Sequence, residues 1–359
     1  MSPTRRTRRT PRARRRRTLT VAALALALTA AAARPALAEP GPTPAPTTLP
    51  EVRAELQRLY REAAVATDRF NAADEKVTRQ EKRVATLRDQ VGEAERRLAR
   101  LTGRAGAAAR AQYRSGTAAS LPVEVQFVLA EDPERALDDA TLARQAQQGT
   151  LGLVTALTAT GEELRARGGE AAEVLERLRT DREDRDTERE KVEERIAAAE
   201  ELEAGLAADQ LRTLDDLDTR DADTAQDAWL DTGVLDTAGT TTTAAGKEAV
   251  EYAARQLGKP YIWGAEGPGG YDCSGLTSQA WLSAGVTIPR TSQAQWQGLT
   301  RIPVGSMRPG DLIVYYPDAS HVALYIGDGR MINAPRPGRT VSIAPAGSMP
   351  ILGVVRPGA

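Results

Sequence analysis

Two residues that could do nucleophilic chemistry occur once each in the 359-residue chain, Cys273 and His321. Cys273 follows a glycine-rich loop, and the spacing of the apolar residues after it predicts a helix that ends at Gly285. We therefore expect Cys273 at a helix N-terminus, where unpaired backbone N–H groups and the helix dipole favour a thiolate and lower its pKa. The same N–H groups are suited to holding an oxyanion.

His321 opens an apolar stretch that predicts a buried strand, and Gly327-Asp328-Gly329 ends that strand with residues typical of a hairpin turn. The returning strand brings Asn333 back beside His321. The Asn333 amide oxygen can accept from one imidazole nitrogen, which leaves the other nitrogen facing the thiol. Nucleophile, base and a residue that orients the base are thus all supplied.

Each of these residues also has a purely structural interpretation. Cys273 could be a small buried side chain, His321 a packing residue, and Asn333 a turn or capping residue. The position of the chain's only cysteine and only histidine in one small domain favours catalysis. One cysteine and one histidine fall short of the usual zinc ligand set, so we expect no metal and no cofactor.

The first 38 residues have the pattern of a signal peptide. Nine arginines within residues 5–17 precede an apolar run over residues 19–33, and the Ala-Leu-Ala sequence ending at Ala38 predicts cleavage after that residue. The general secretory route, the twin-arginine route and a retained anchor all stay open, although the run is shorter than the roughly 20 residues of a membrane span. Cleavage leaves 38 basic and 49 acidic residues, a formal charge of −11, which does not resemble a nucleic-acid-binding protein.

Residues 39–50 (EPGPTPAPTTLP) predict a semi-rigid proline-rich spacer. Over residues 51–219 the pattern becomes that of a coiled coil. From Val52 to Gln112, seam positions alternate steps of four and three, and sixteen of the eighteen are apolar. A weaker seam runs from Leu153 to Leu206. Two long helices with a short connection predict an antiparallel hairpin.

The connection between the two helices, residues 115–132, is apolar for an exposed tip. It either packs on the hairpin as a short helix or forms a docking surface, for a partner or for the groove over Cys273, through Val125, Phe127, Val128 and Leu129. Residues 220–244 are acidic and then rich in threonine and alanine, which predicts a flexible linker. Residues 245–359 predict an α+β domain large enough for one core.

Six blocks within residues 247–357 closely resemble the NlpC-type cell-wall cysteine peptidases. They are GKPYIWG at 258–264, YDCSGL at 271–276, PRTS at 289–292, PGDL at 309–312, SHVALYIG at 320–327 and MINAP at 331–335. The resemblance implies a papain-like fold in a secreted, wall-associated DL-endopeptidase. It also implies that the substrate is peptidoglycan, cut at γ-D-glutamyl–diaminopimelate bonds of the stem peptides.

Carried over by position, the resemblance makes Cys273 the nucleophile, His321 the base and Asn333 the third polar residue, which is often histidine in the family. It implies a substrate-binding role for five further residues, Tyr261, Asp272, Ser274, Arg290 and Ser292. The hairpin resembles the coiled coils of secreted hydrolases of the RipA, PcsB and CwlO type, which act in cell division or elongation. That resemblance implies regulation of the active site, with an FtsEX-like membrane complex as partner.

Two rival functions remain at this point. A non-enzymatic adaptor could use the coiled coil to activate another wall hydrolase, although such a protein would have no need for the cysteine and the histidine. An amidase or acyltransferase could use the same fold, although the YDCSGL and PRTS blocks argue against it.

Overall fold

The computed structural model describes residues 48–114, 125, 133–237, 239 and 241–358. The predicted signal peptide and spacer, up to residue 47, lie outside the described residues. Within the described ranges the chain forms a long helical hairpin followed by an α+β domain, which confirms the predicted fold class. No helix in these ranges is both long and apolar enough to cross a membrane.

Two long helices form the hairpin, α1 (Leu49–Arg114) and α2 (Pro133–Ala204). At about 1.5 Å per residue each is roughly 100 Å long. Ion pairs between the helices show that they run antiparallel. From one pair to the next, the residue number rises on α1 and falls on α2. The pairs are Arg195–Glu62, Arg182–Glu81 and Arg97–Glu163.

The predicted apolar seam is where the two helices meet. Leu56, Val77 and Leu87 of α1 are buried, as are Val174 and Val192 of α2. Toward the distal end the seam opens, and Tyr113 is 90% exposed. The hydrophobic stabilisation of the hairpin is therefore concentrated in the half nearer the α+β domain.

A third helix, α3 (Ala208–Leu230), corrects the prediction of a flexible linker over residues 220–244. It follows a short turn, and Asp218 accepts from Arg53 of α1 at 2.8 Å. A 3₁₀ turn (Val234–Thr237) and helix α4 (Ala244–Ala254) come next. Helix α3 and the 3₁₀ turn are ordered because they bury apolar side chains on the sheet, a contact that their acidic composition does not reveal.

Trp229 and Leu235 provide this anchoring, since both pack on the core of one sheet face. The Gln226 side chain adds polar contacts, because its amide donates to the Gly329 carbonyl at 3.1 Å and accepts from the Gly347 N–H at 2.6 Å. Helix α3 is thus a strap that joins the hairpin to the back of the sheet.

The α+β domain contains a six-stranded antiparallel sheet in the order β1-β6-β2-β3-β4-β5. Its strands are β1 (Thr300–Ile302), β2 (Leu312–Tyr315), β3 (His321–Gly327), β4 (Arg330–Asn333), β5 (Ser342–Pro345) and β6 (Ile351–Arg356). Helices α4, α5 (Cys273–Ser283) and α6 (Ser292–Gly298) complete the domain. Helices α4 and α5 contribute to the core on one sheet face, whereas the strap covers the other.

Candidate active site

Cys273 is the first residue of α5, as the sequence predicts. Asp272 caps this helix, with its Oδ1 accepting from the Gly275 N–H at 2.6 Å. Helix α5 packs against β3, and the Cys273 sulfur lies beside the backbone N–H of Val322. Cys273 therefore lies beside the peptide unit that follows His321.

The predicted lowering of the Cys273 pKa is wrong. Cys273 is 6% exposed, and burial raises the pKa of its thiol well above the usual range. The negative charge of Asp272 raises it further, as does Asp68 whenever its carboxyl is ionised, and the Val322 N–H opposes them. The helix N-terminus is thus outweighed by desolvation and by two carboxyl groups, and the closed site holds a neutral thiol.

His321 heads β3, and the predicted hairpin to β4 is present, with Asp328 at φ 50° and Gly329 at φ 66° in its turn. Ile332 pairs with Leu324, and continuing this register puts Asn333 on the sheet face that carries His321. His321 Nε2 and Asn333 Oδ1 are both buried without a hydrogen-bond partner among the described residues. The imidazole Nε2 can donate a hydrogen bond and the amide Oδ1 can accept one, and both residues line the same cleft.

Burial also lowers the pKa of His321 to about 4, so its imidazole is neutral at physiological pH. Its ring lies 5.9 Å from that of Tyr315, its partner across the β2–β3 ladder. A neutral imidazole is the form able to accept a proton from a thiol.

The predicted substrate-binding residues Asp272, Ser274 and Arg290 form one buried cluster. Arg290 binds both carboxylate oxygens of Asp272, with Nη1–Oδ1 at 3.0 Å and Nη2–Oδ2 at 2.7 Å, and donates to Ser274 Oγ at 3.0 Å. A bidentate pair of this kind fixes both groups. Glu266, which the sequence did not single out, pairs with the Arg290 Nε.

Side chains of helix α1 lie in this pocket. The Asn71 amide donates to Asp272 Oδ2 at 2.9 Å. The Asp68 carboxyl contacts Ser292 Oγ at 2.5 Å and accepts from the backbone N–H groups of Ser292 and Gln293, both at 3.3 Å. Two residues three apart on one helix face thus contact two of the residues expected to bind substrate.

Apolar and hydroxyl contacts extend the same interface. Thr67 lies beside Tyr261, which brings a third predicted substrate-binding residue under α1. The Phe70 and Trp263 rings meet edge to face with centroids 5.0 Å apart. Gly264 has φ 72°, and a Cβ there would lie 3.2 Å from the Phe70 ring, so both the backbone and the close approach favour glycine.

Exposed contacts surround the buried ones. Arg61 of α1 pairs with Asp318 at 3.2 Å and stacks over the Tyr316 ring at 4.0 Å. Beside them a cleft of about 1310 Å³ separates the hairpin and α3 from the domain and reaches His321 and Asn333. The hairpin thus covers the pocket around Cys273 and leaves a cleft next to His321.

Sequence reasoning missed Thr67, Asp68, Phe70 and Asn71. The available signal was the run TDRFN at 67–71, which holds one of only two phenylalanines in the chain inside a helix otherwise rich in alanine and charge. The sequence had instead suggested the connection over residues 115–132 as a cover for Cys273. Apart from Val125, which is exposed, those residues lie outside the described part of the chain.

The α+β domain is of the papain-like class. A cysteine stands at the N-terminus of a helix, and a histidine stands at the head of the adjacent strand. Residues 258–350 match the NlpC/P60 family. The C-terminal domain of the chain belongs to this family, which confirms the resemblance stated above.

The chain is similar to the probable endopeptidase Rv2190c of Mycobacterium tuberculosis, at 42% identity over 28% of this chain and 26% of the relative. It is similar to probable endopeptidase p60 of Listeria monocytogenes, at 48% identity over 23% of this chain and 17% of the relative. Among solved structures, the NlpC/p60 domain of the peptidoglycan hydrolase SagA is 32% identical over 31% of this chain and 97% of that domain, with a TM-score of 0.29. The chain spans about a quarter of the length of the mycobacterial relative.

Proposed function

We propose that the chain is a secreted peptidoglycan hydrolase that cuts stem peptides at the γ-D-glutamyl–diaminopimelate bond, with Cys273 as nucleophile. The observation that carries the proposal is the placement of Cys273 at the start of α5 beside the His321–Val322 peptide, with the Asp272–Arg290 pair next to it. The names of the relatives support it, since they include probable endopeptidases and a peptidoglycan hydrolase.

In the proposed reaction, Cys273 Sγ attacks the stem-peptide carbonyl and His321 takes the thiol proton. His321 then gives this proton to the leaving amine, and a thioester remains. Water, with its proton taken by His321, cleaves the thioester and restores the thiol. In the closed site both the imidazole and the thiol are neutral. The first step therefore requires that the thiol transfer its proton to the imidazole once substrate replaces α1.

Asn333 is proposed to orient the base. His321 Nε2 and Asn333 Oδ1 each lack a partner in the closed state among the described residues, and an N–H···O bond between them would satisfy both. That bond would fix the tautomer in which Nδ1 accepts the thiol proton. Asn333 is neutral, so it stabilises an imidazolium less than a carboxylate would.

His321→Ala is expected to lower stem-peptide hydrolysis by about 10²–10⁴-fold, because it removes the group that moves the proton. Asn333→Ala is expected to lose less, because His321 remains and only its orientation is relaxed. Steady-state rates on soluble stem peptides would measure both effects, with circular dichroism to check folding. Equal losses in folded protein would contradict this division of roles.

The proposed export is tested by identifying the first residue of the exported chain after cleavage of the signal peptide. Chain recovered from the medium or wall of an expressing bacterium is expected to begin at Glu39, because the Ala-Leu-Ala sequence precedes it. N-terminal sequencing would give the residue directly. A chain that retains residues 19–33 and stays with the membrane would contradict cleavage.

The hairpin is proposed to be regulatory. Four side chains of α1 contact residues that would bind substrate or line its path. They are Thr67, Asp68, Phe70 and Asn71. A stem peptide cannot occupy the pocket while these side chains do. We therefore propose that the chain is latent until α1 is lifted, with an FtsEX-like membrane complex acting on the hairpin as the source of the force.

A further inference from the structure

The hydroxyl of Ser292 makes two short oxygen–oxygen contacts. Its Oγ lies 2.6 Å from the Ala319 carbonyl oxygen and 2.5 Å from Asp68 Oδ2. A serine hydroxyl has one hydrogen, and a carbonyl oxygen has none to donate. If the Ser292 hydrogen points to Ala319, the contact with Asp68 requires a hydrogen on the Asp68 carboxyl group. If it points to Asp68, two oxygens face each other at 2.6 Å with no hydrogen between them, which is unfavourable.

The surroundings of Asp68 favour the protonated form. Burial raises the pKa of Asp68 to about 7, the Asp272 charge adds to this, and the hydrogen bonds from Ser292 and Gln293 oppose it. No cation contacts the Asp68 carboxyl directly among the described residues, because Arg290 is engaged by Asp272 and Glu266. The titratable and charged groups around Asp68 are Tyr261, Asp272, Cys273 and Arg290. The ion pair of Arg61 with Asp318 lies next to Ala319.

We propose that Asp68 is a neutral carboxylic acid when α1 lies on the catalytic domain, and that this bound proton makes docking of the helix pH-dependent. The consequence for hydrolysis rests on the function proposed above, whereas the docking equilibrium itself does not. The acid donates to Ser292 Oγ, which donates in turn to the Ala319 carbonyl, so one proton completes the chain of hydrogen bonds that links α1 to the pocket.

The direction of the pH effect follows from linkage. An undocked, solvated Asp68 has the ordinary pKa of 3.8, whereas the docked group holds its proton up to about pH 7. Docking therefore takes up a proton between these values, and it weakens by up to about tenfold per pH unit as the pH rises through this window. Above about pH 7 the dependence levels off. The helix is held in acid and released more readily toward neutral pH.

The Asp68→Asn substitution distinguishes a protonated Asp68 from an ionised Asp68 in the docked state. An amide N–H can replace the carboxyl O–H toward Ser292 Oγ, and the amide oxygen can still accept from the Ser292 N–H, at the cost of the 3.3 Å contact with the Gln293 N–H. The amide of the Asp68→Asn chain would thus imitate the protonated acid at every pH. If Asp68 were ionised when docked, the same change would remove a charge-assisted bond and loosen the helix.

The test measures hydrogen exchange of the Ser292 backbone amide by NMR in the full chain, at pH 5 and pH 8, with rates corrected for intrinsic exchange. We expect native protection to fall between pH 5 and pH 8. We expect Asp68→Asn to be equally protected at both, and at least about tenfold more protected than native at pH 8. Asp89→Asn, an exposed change on the same helix, should behave as native.

Two results would overturn the proposal: native protection that is constant or rises with pH, or weaker protection in Asp68→Asn than in native chain at pH 8. Infrared spectroscopy gives a second measurement that needs no variant to dock well. At pH 6 the native chain should show a protonated-carboxyl band that Asp68→Asn lacks, and its absence from the native chain would contradict the proposal. Neither measurement depends on catalysis, so an inactive protein would not be mistaken for an ionised Asp68.

Discussion

Cys273→Ala is expected to reduce stem-peptide hydrolysis to background, a loss of roughly 10⁴-fold or more, because no thioester can form without the sulfur. The substitution should leave the fold intact. Cys273 is a small buried side chain that packs among Leu276, Val322 and their neighbours, and alanine fits the same space with the loss of one atom. Rates on a soluble stem peptide, measured beside thermal unfolding, check both halves of the prediction.

Cys273→Ser is the matched control for shape, since it keeps a hydroxyl in place of the thiol. It should be as inactive as alanine if thiol nucleophilicity is required. Hydrolysis at the native rate by a folded Cys273→Ala chain would show that the catalytic assignment is wrong.

The second large effect is expected from opening the site. Phe70→Asp should raise the hydrolysis rate of the full chain by about 10- to 100-fold, because the change removes the contact with Trp263 and places a charge against it. Burial of one large apolar side chain is worth about 1.5–3 kcal/mol, and each 1.4 kcal/mol corresponds to a factor of about ten. Alkylation of Cys273 by iodoacetamide should become faster in parallel, since the thiol loses its cover.

Two further variants keep this prediction specific. Tyr113→Asp changes an exposed aromatic residue at the distal end of the same helix and should leave the rate unchanged. Phe127→Asp alters the apolar connection, and it should also have no effect if α1 is the cover. A rise with Phe127→Asp but not with Phe70→Asp would transfer the inhibitory role to the connection. Equal rates in all chains would remove autoinhibition and leave the hairpin as a partner-binding element.

The sequence predicted well what depends on local pattern. The helical seam from Val52 onward, the helix start at Cys273 and the β3–β4 hairpin around Asp328 are encoded by periodicity, capping and turn residues within a few positions of each other. Each is confirmed by the structure. The strap has the composition of a linker because its ordering depends on Trp229 reaching a distant sheet face.

The covering of the pocket could not be predicted from pattern at all. Asp68 and Ser292 are 224 positions apart, and their contact depends on how the hairpin pivots on the domain. The direction of the Cys273 pKa shift was out of reach for the same reason, since the helix dipole is a local feature while burial under α1 and the Asp68 carboxyl are not. Local sequence thus positioned Cys273 and His321, but their electrostatic environment depends on the tertiary contact.

The central claim, thiol hydrolysis of a specific stem bond, is tested most directly by mass spectrometry of products from diaminopimelate-type peptidoglycan. The Phe70→Asp chain, with its site uncovered, should be compared with the same chain carrying Cys273→Ala in addition. We predict fragments that end in L-Ala-γ-D-Glu on the glycan side and matching fragments that begin with diaminopimelate, both absent with the double variant. Glycan freed of whole stem peptides, or no new product with either chain, would contradict the claim.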